Sequence, residues 1–427
     1  MILDFKNLVF RIFVSLFSFY IISGNLFRLI SAGFEHNLLI TEFILYAFSV
    51  LTFFVFPFNI SCFLFFVLFV FSSMMFGSFY NGVHLPSLMY GIRLIGMVFS
   101  GIVIGNLLFR KYGFSIRDFL KYFESVYLKN LFLGMVIFIF FPSSRSFWLF
   151  LSNFGIQFNG DPHIGRFVST YFDPNYFGAI CCIPFLISLH LCKNFSEKKG
   201  KWKPFLFFLG ALFTWSRSGI ATLLFLCLWM GVPRAIQFLK SPKFSISKRG
   251  VMYLFSLVVC FFGLMFVFSG SVFCFLDRFI HMKSDLSALG RLYSFNWGIN
   301  LISQHPILGI GYNYLSIYLY DPVHGHSSVD SSLILTFIAF GIPATLSLLI
   351  LFFSASVSIY YRMARINPEC ALVFKQMFFY VLVCVFFTSN FNNLLYYPFW
   401  LSPIVVIFSY LLNCLNEGER RIVFSDI

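Results

Sequence analysis

The chain has 427 residues, of which 59% are hydrophobic and 11% charged, and a formal net charge of +14. A mean hydropathy of +0.86 excludes a soluble domain of this size, because apolar runs near ~20 residues mark membrane-spanning helices. The 67 phenylalanines supply lipid-facing and packing bulk, and the basic charge invites a nucleic-acid reading that its distribution rejects.

The first apolar run follows MILDFKNLVFR without a small-residue cleavage site, so 9–31 is read as a retained helix and not a removed signal peptide. Further runs predict spans at 38–56, 59–78, 88–109, 127–142, 171–192, 203–216, 219–233, 251–273, 331–358, 373–391 and 396–415. The runs at 203–216 and 219–233 are short and form a tight hairpin with SRSG at its tip. About twelve spans predict an all-α polytopic membrane protein, a single membrane domain over 1–427 with both termini on one side. Two sizeable outer loops interrupt it, 143–170 and 274–330. The first opens with RSFWLFLSNFGIQF, whose apolar residues predict a helix lying in the membrane interface. No internal repeat is found, which weakens a reading as an inverted-repeat transporter. Of the ten cysteines, only Cys274 falls near an outer loop. No structural disulfide is expected, and no zinc-ligand spacing occurs.

Arg/Lys-rich loops mark the cytoplasmic face. Alternation puts both termini inside, with RKYGFSIRDFLKYF, KNFSEKKGKWK, PRAIQFLKSPKFSISKR and YRMARINPECALVFK. These segments hold most of the 30 Lys and Arg. The basic balance thus records topology and contact with anionic lipid, not nucleic acid. The outer basic residues are Arg28, Arg93, Arg145, Arg166, Arg217, Arg278, Arg291 and Lys283. Arginine presents a planar fork of donors that fits phosphate and pyrophosphate oxygens bidentately. Every histidine except His190 also falls in an outer segment. The chemistry is expected to face outward.

Four outer stretches collect polar residues. In GRFVSTYFDPNYFGAI, Pro174 suits an early helical turn and Asp173 a cap, leaving Arg166 and Asn175 near the membrane surface. A well-capped helix with a snorkelling arginine would look the same. In TWSRSGI, Arg217 at the hairpin tip lies too deep for an idle surface charge, with a positional anchor or a partner for a buried Asp as the bland alternative. In GRLYSFNWGINLISQHPILGIGYNYL, the apolar positions predict an amphipathic outer helix between Gly290 and His305 carrying Arg291 near its start. Gly309 and Gly311 then permit a tight turn, which follows no strand and is only superficially a phosphate loop. In DPVHGHSSVDSSLILTFIAFGIP, His326 precedes the tenth expected helix, with Ser327 or Ser328 as its N-cap. Such a helix N-terminus would disfavour imidazolium, leaving His326 able to accept a proton, and Asp330 would orient the ring. His324 competes for the same role.

Arginines and a neutral histidine, with outer acidic residues only as singletons, suit a reaction whose leaving group is already a good anion. Cations hold the departing charge and a base takes a proton from the nucleophile. A lipid pyrophosphate leaving group attacked by a sugar hydroxyl meets those terms, with no metal or other cofactor.

RFVSTYFDPNYFGAI, TWSRSGIA, GRLYSFNWGINLISQHPILGIGYNYL and HSSVDSSLILTFIAFGIP, in that order over roughly 160–350, resemble the O-antigen polymerase and O-antigen ligase superfamily of bacterial envelope glycosyltransferases. The resemblance implies a C-type membrane glycosyltransferase fold of the inner membrane, acting at the periplasmic face without a metal. It implies donors that are oligosaccharides on undecaprenyl pyrophosphate, and a chain-length regulator protein as a further partner. The resemblance also implies catalytic roles for Arg217, Arg291 and His326. Arg166, Asp173, Asn175, Arg278, His324 and Asp330 are expected to bind substrate. Departures from the family pattern are Ser327 where Asn is common, and spacings from Arg166 to Gly178 and from Arg278 to Gly290 one residue longer than in some polymerases. The phenylalanine-rich composition, suggestive of the AT-rich coding common in O-antigen gene clusters, tips the reading to polymerase. The alternatives are a ligase transferring polymer to the lipid A core and a lipid-linked sugar flippase.

Overall fold

The computed structural model describes residues 2–26, 40–56, 60–110, 113–153, 163–195, 200–239, 286–318 and 329–425. In chain order the helices are α1 (Ile2–Ser23), α2 (Ile40–Val55), α3 (Ser61–Asn81), α4 (Leu85–Arg110), α5 (Ile116–Phe140), α6 (Ser144–Ser152), α7 (Pro174–Ile180) and α8 (Cys182–Asn194). There follow α9 (Trp202–Phe213), α10 (Arg217–Leu239), α11 (Leu286–Gln304), α12 (Leu315–Tyr318), α13 (Ser332–Ile366), α14 (Pro368–Phe386) and α15 (Pro398–Ser425). Among the described residues there is no strand beyond one isolated bridge between Ser143 and Ile164.

The expected span at 251–273 lies outside the described residues. Among the described residues, each of the other expected spans overlaps a helix, and seven helical stretches are long and apolar enough to cross a membrane. Four more, Asn7–Ser23, Glu42–Val55, Trp202–Phe213 and Arg217–Gly231, are apolar but shorter. The chain is a multi-pass, all-helical membrane protein. The segment 143–170, expected as an outer loop, contains the expected helix as α6, and the amphipathic helix expected from Gly290 is α11, which starts earlier, at Leu286.

Three expectations need correction. The stretch RKYGFSIRDFLKYF is expected as an inner segment before the span at 127–142, yet its second half forms the first turns of α5. Ser115 caps it, accepting from the Asp118 amide at 3.2 Å, and Ile116, Phe119, Leu120 and Phe123 are buried. That apolar spacing fits one helical face, with the charges on the other. The tenth expected helix begins at Ser332, within one residue of its expected span, but its cap is not the expected one. Ser331, not Ser327 or Ser328, is the N-cap of α13, its hydroxyl accepting from the Ile334 amide at 3.2 Å. That cap competes best because Ser331 Oγ also donates to Asn390 Oδ1 at 3.0 Å. Finally, α13 runs to Ile366 but is broken at Gly341, whose φ of 77° is left-handed.

The break at Gly341 explains the glycines of HPILGIGYN. Helix interruption strips carbonyls of their usual partners, and buried carbonyls need donors. The turn after α11 supplies them. Ile310 N donates to Ile338 O at 2.8 Å, Gly311 N to Ala339 O at 3.2 Å, and Ile342 N returns a bond to Pro306 O at 2.8 Å. Gly309 and Gly311 take φ of 67° and 96°, and a Cβ on Gly341 would stand 2.1 Å from Ile307 O. These glycines serve a backbone-to-backbone junction between the turn after α11 and the break in α13.

The core joins α1, α5, α7, α8, α14 and α15. Phe13 and Phe17 pack near Phe119 and Phe123, and Phe119 stacks on Tyr410 with centroids 3.8 Å apart. Buried aromatics with a polar end need a partner; Trp400 Nε1 donates to Tyr380 Oη, which donates to Ala179 O, each at 2.8 Å. Helix α4 packs along α15. Gly101 and Gly105 of α4 face Val405 and Ser409, and a Cβ at Gly105 would lie 2.7 Å from Val406 O. Small residues spaced by four are the usual means for apolar helices to approach this closely.

Candidate functional site

The tip of the α9–α10 hairpin is built from short polar side chains. Trp215 adopts a left-handed φ of 48°, which turns the chain back after Thr214. The Ser216 amide donates to Thr214 Oγ1 and the Gly219 amide to Ser216 Oγ, both at 3.2 Å. Arg217 is the first residue of α10. A helix N-terminus carries partial positive charge, so a cation there is disfavoured. Arginine in that first turn, above an apolar helix, makes sense where an anion is to be held by both.

The segment 163–177 wraps this tip. Asp173 caps α7 as expected, accepting from Asn175 N at 2.7 Å and Tyr176 N at 3.3 Å, with Pro174 in the first helical turn. Arg166 donates through Nε to Thr214 O at 3.0 Å and through Nη2 to Asn175 Oδ1 at 3.4 Å. Ser216 Oγ donates to the same Asn175 oxygen at 2.9 Å. Arg166, Asp173, Asn175 and Arg217, separate in sequence, therefore share one hairpin tip.

Two glycines make that approach possible. Gly178 of α7 and Gly219 of α10 meet backbone to backbone, and a Cβ on Gly219 would stand 2.9 Å from Gly178 Cα. One turn before each lies Asn175 and Ser216, so the glycine contact sets their hydrogen bond. Replacing Gly219 by valine forces the helices apart and is expected to cost about 1–3 kcal/mol of stability. Thermal unfolding of the purified protein in detergent checks this, and an unchanged midpoint would refute the close-contact account.

Arg291 and Asp330 form a second group. Arg291 Nε lies 3.4 Å from Asp330 Oδ2, with side chains 25% and 45% exposed. The contact is not aligned as a hydrogen bond, and among the described residues Arg291 Nε is a buried donor with no hydrogen-bond acceptor. An exposed ion pair of this kind is weak, and a buried guanidinium donor calls for an acceptor. Asp330 precedes the cap of α13 and does not sit a turn inside it, as had been expected. Its partner here is Arg291. His326, His324 and Arg278 lie outside the described residues, so the structure places none of them. With the cap at Ser331, His326 is six positions before the first residue of α13, and the argument from that helix's dipole loses its basis, because the effect fades within a turn.

The segment between α14 and α15 links the groups, and sequence reasoning passed over it. Asn392 Nδ2 donates to Ser218 Oγ at 3.0 Å beside the hairpin tip. Asn390 accepts from Ser331, and Asn393 Oδ1 accepts from Ser332 Oγ at 3.1 Å, both at the start of α13. The signal was present as FNNLLYYP, a polar and aromatic interruption between two apolar runs.

Arg93, also expected among the outer arginines, is committed elsewhere. Its Nε and Nη2 each donate to Glu42 at 2.7 Å, and the Glu42 side chain is 0% exposed. A charge buried that deeply needs such a bidentate partner. Among the described residues no group of three or more His, Cys, Asp or Glu could hold a metal ion.

Arg217 opens α10, and Arg166 is held by Thr214 O and Asn175 Oδ1 at the same polar hairpin tip. Residues 205–349 match the family model described as O-antigen ligase. That region spans Arg217, Arg291 and Asp330, and the match supports the resemblance to the O-antigen polymerase and ligase superfamily. No curated protein sequence matches the chain.

Proposed function

We propose that the chain is an O-antigen polymerase of the bacterial inner membrane, joining oligosaccharide repeat units carried on undecaprenyl pyrophosphate at the periplasmic face. The observation that carries this reading is Arg217 in the first turn of α10, inside the region that matches the O-antigen ligase family. Arg217 and Arg291 hold the pyrophosphate of the donor. Arg166 and Asp173 support the hairpin and the loop before it, and Asn175 orients the groups that face substrate. An acceptor hydroxyl attacks the anomeric carbon of the donor sugar, and the bond from that carbon to the pyrophosphate oxygen breaks. The electron pair leaves on undecaprenyl pyrophosphate, where cationic donors stabilise it, and His326 takes the hydroxyl proton.

A second reading, transfer of finished polymer to the lipid A core, is favoured by the description of the family model that matches. Lipopolysaccharide from a deletion strain separates the two. Single repeat units on the core are the expected result; bare core with lipid-linked polymer accumulating would replace polymerase by ligase. Capped core of normal polymer length would refute both.

The proposed orientation puts both termini and the KNFSEKKGKWK loop in the cytoplasm. In a cysteine-depleted background, a membrane-impermeant thiol reagent should label Ser287→Cys in intact cells and leave Lys199→Cys silent. The opposite pattern would invert the orientation and move the site to the wrong side for periplasmic chemistry.

A further inference from the structure

A cavity of about 270 Å³ lies where the end of α1, the first turns of α4, the turn after α11, the start of α13 and the segment before α15 converge. It is distinct in chemistry from the arginine-bearing hairpin. Among its described lining residues the charged one is Arg93, and both arms of that guanidinium are held by Glu42. A phosphate entering here would meet a cation already neutralised by a buried carboxylate. The remaining polar groups are uncharged.

Aromatic rings supply much of the wall. Tyr176 and Tyr397 stack with centroids 4.0 Å apart and planes at 7°, and Tyr312 meets Tyr396 at 5.5 Å. The Tyr312 and Tyr396 phenols are neutral hydroxyls at physiological pH, since a phenol ordinarily ionises only near pH ~10. Asn313 and Asn393 add side-chain amides, each with donor and acceptor capacity. Flat apolar faces beside uncharged donors and acceptors match a sugar ring, which has an apolar C–H face and hydroxyls around its edge. A volume just below the ~300–1,000 Å³ of small-molecule sites suits a terminal sugar and not a whole repeat unit.

The cavity also adjoins the proposed pyrophosphate site through covalent neighbours. Tyr176 follows Asn175, which accepts from Ser216 and Arg166. Asn393 accepts from Ser332, next to the Ser331 cap and Asp330.

We propose that this cavity is a subsite for an uncharged sugar residue of the glycan being transferred. The proposal rests on the glycosyl-transfer reading above and adds a recognition site outside the arginine cluster. The sugar could belong to the donor or to the acceptor; the shared chemistry is a neutral pyranose.

The test uses the full chain in lipid nanodiscs. The probe is the free repeat-unit oligosaccharide, without lipid or phosphate, released from the host's own polysaccharide. Saturation-transfer NMR reports binding. Asn313 has a left-handed φ of 60°, which aspartate tolerates, so Asn313→Asp preserves the backbone and exchanges an amide donor for charge. It should weaken oligosaccharide binding about tenfold or more, as expected when a buried hydrogen bond gives way to an unpaired charge. Tyr176→Leu should do the same by removing the stacked face. Arg217→Ala should leave oligosaccharide binding intact, and binding of inorganic pyrophosphate should be unchanged in Asn313→Asp. In turnover, free oligosaccharide competitive against the acceptor assigns the subsite to the acceptor's sugar; competition against the lipid-linked donor assigns it to the donor's. Wild-type binding retained in both cavity variants would overturn the proposal, as would preference for an acidic sugar or retention of a lipid chain in the cavity. Oligosaccharide binding lost in the cavity variants, with no transfer by wild type on lipid-linked donor, would sink the transferase reading and leave the sugar site standing.

Discussion

Arg217→Ala is expected to abolish polymer while the protein remains in the membrane at normal abundance. The guanidinium stands in the first turn of α10, where the helix dipole already favours an anion. Removing one preorganised donor to a developing anion typically lowers rate by ~10²–10³, and chain length on a gel is insensitive to activity below that. Arg291→Ala should behave alike, since its Nε is a buried donor beside a half-exposed carboxylate. Lysine should rescue either position poorly, because a point charge cannot reproduce a bidentate fork. Purified variants assayed on lipid-linked repeat units give the measurement. Near-normal turnover in both Arg→Lys variants would show that charge suffices and that the fork argument is wrong.

His326→Ala should lose nearly all transfer yet still bind lipid-linked donor. A sugar hydroxyl is a poor nucleophile, and positioned proton removal contributes ~10²–10⁴ to rate. Donor binding survives because the arginines proposed to hold pyrophosphate remain. With α13 capped at Ser331 and Asp330 set against Arg291, the role assigned to His326 rests on family resemblance and on the need for a base, not on that helix's dipole. His324→Ala is the decisive companion. Turnover kept by His326→Ala and lost by His324→Ala would move the base two residues upstream, and activity retained by both would end the histidine mechanism.

These two experiments differ in what the structure contributes to them. For Arg217 it supplies the neighbours: Ser216, Asn175 and Arg166 in one hydrogen-bonded set. For His326 the expectation comes from the sequence alone, since that residue lies outside the described residues.

Much was legible in the linear chain because its causes are local. Apolar runs near membrane thickness announce helices whatever surrounds them, and α3, α4, α14 and α15 stand close to where those runs predict. Asp173 before Pro174 specifies a helix start through its own side chain and ring. The tight turn at SRSG follows from two short apolar runs with polar residues between them. The order of these motifs was enough to suggest the family that residues 205–349 match.

What the chain could not reveal depends on partners distant in sequence. Ser327, Ser328 and Ser331 are equal candidates for a cap until Asn390 arrives to accept from Ser331. Asp330 could have served a histidine; its place beside Arg291 is decided by how α11 packs on α13. Gly309 and Gly311 read as a generic turn, and only the break at Gly341 shows whose carbonyls they satisfy. Arg93 counted as an outward-facing anion binder until Glu42, 51 positions away, took both its arms. FNNLLYYP drew no attention because asparagines and tyrosines acquire meaning from what they face, here the hairpin tip on one side and a neutral cavity on the other. The sequence by itself determined the membrane class, the helices and the stock of arginines, because hydropathy and capping act over a few residues. Only the tertiary structure decided which of those arginines face a carboxylate, as Arg93 and Arg291 do, because a buried charge takes its partner from whichever helix packs against it.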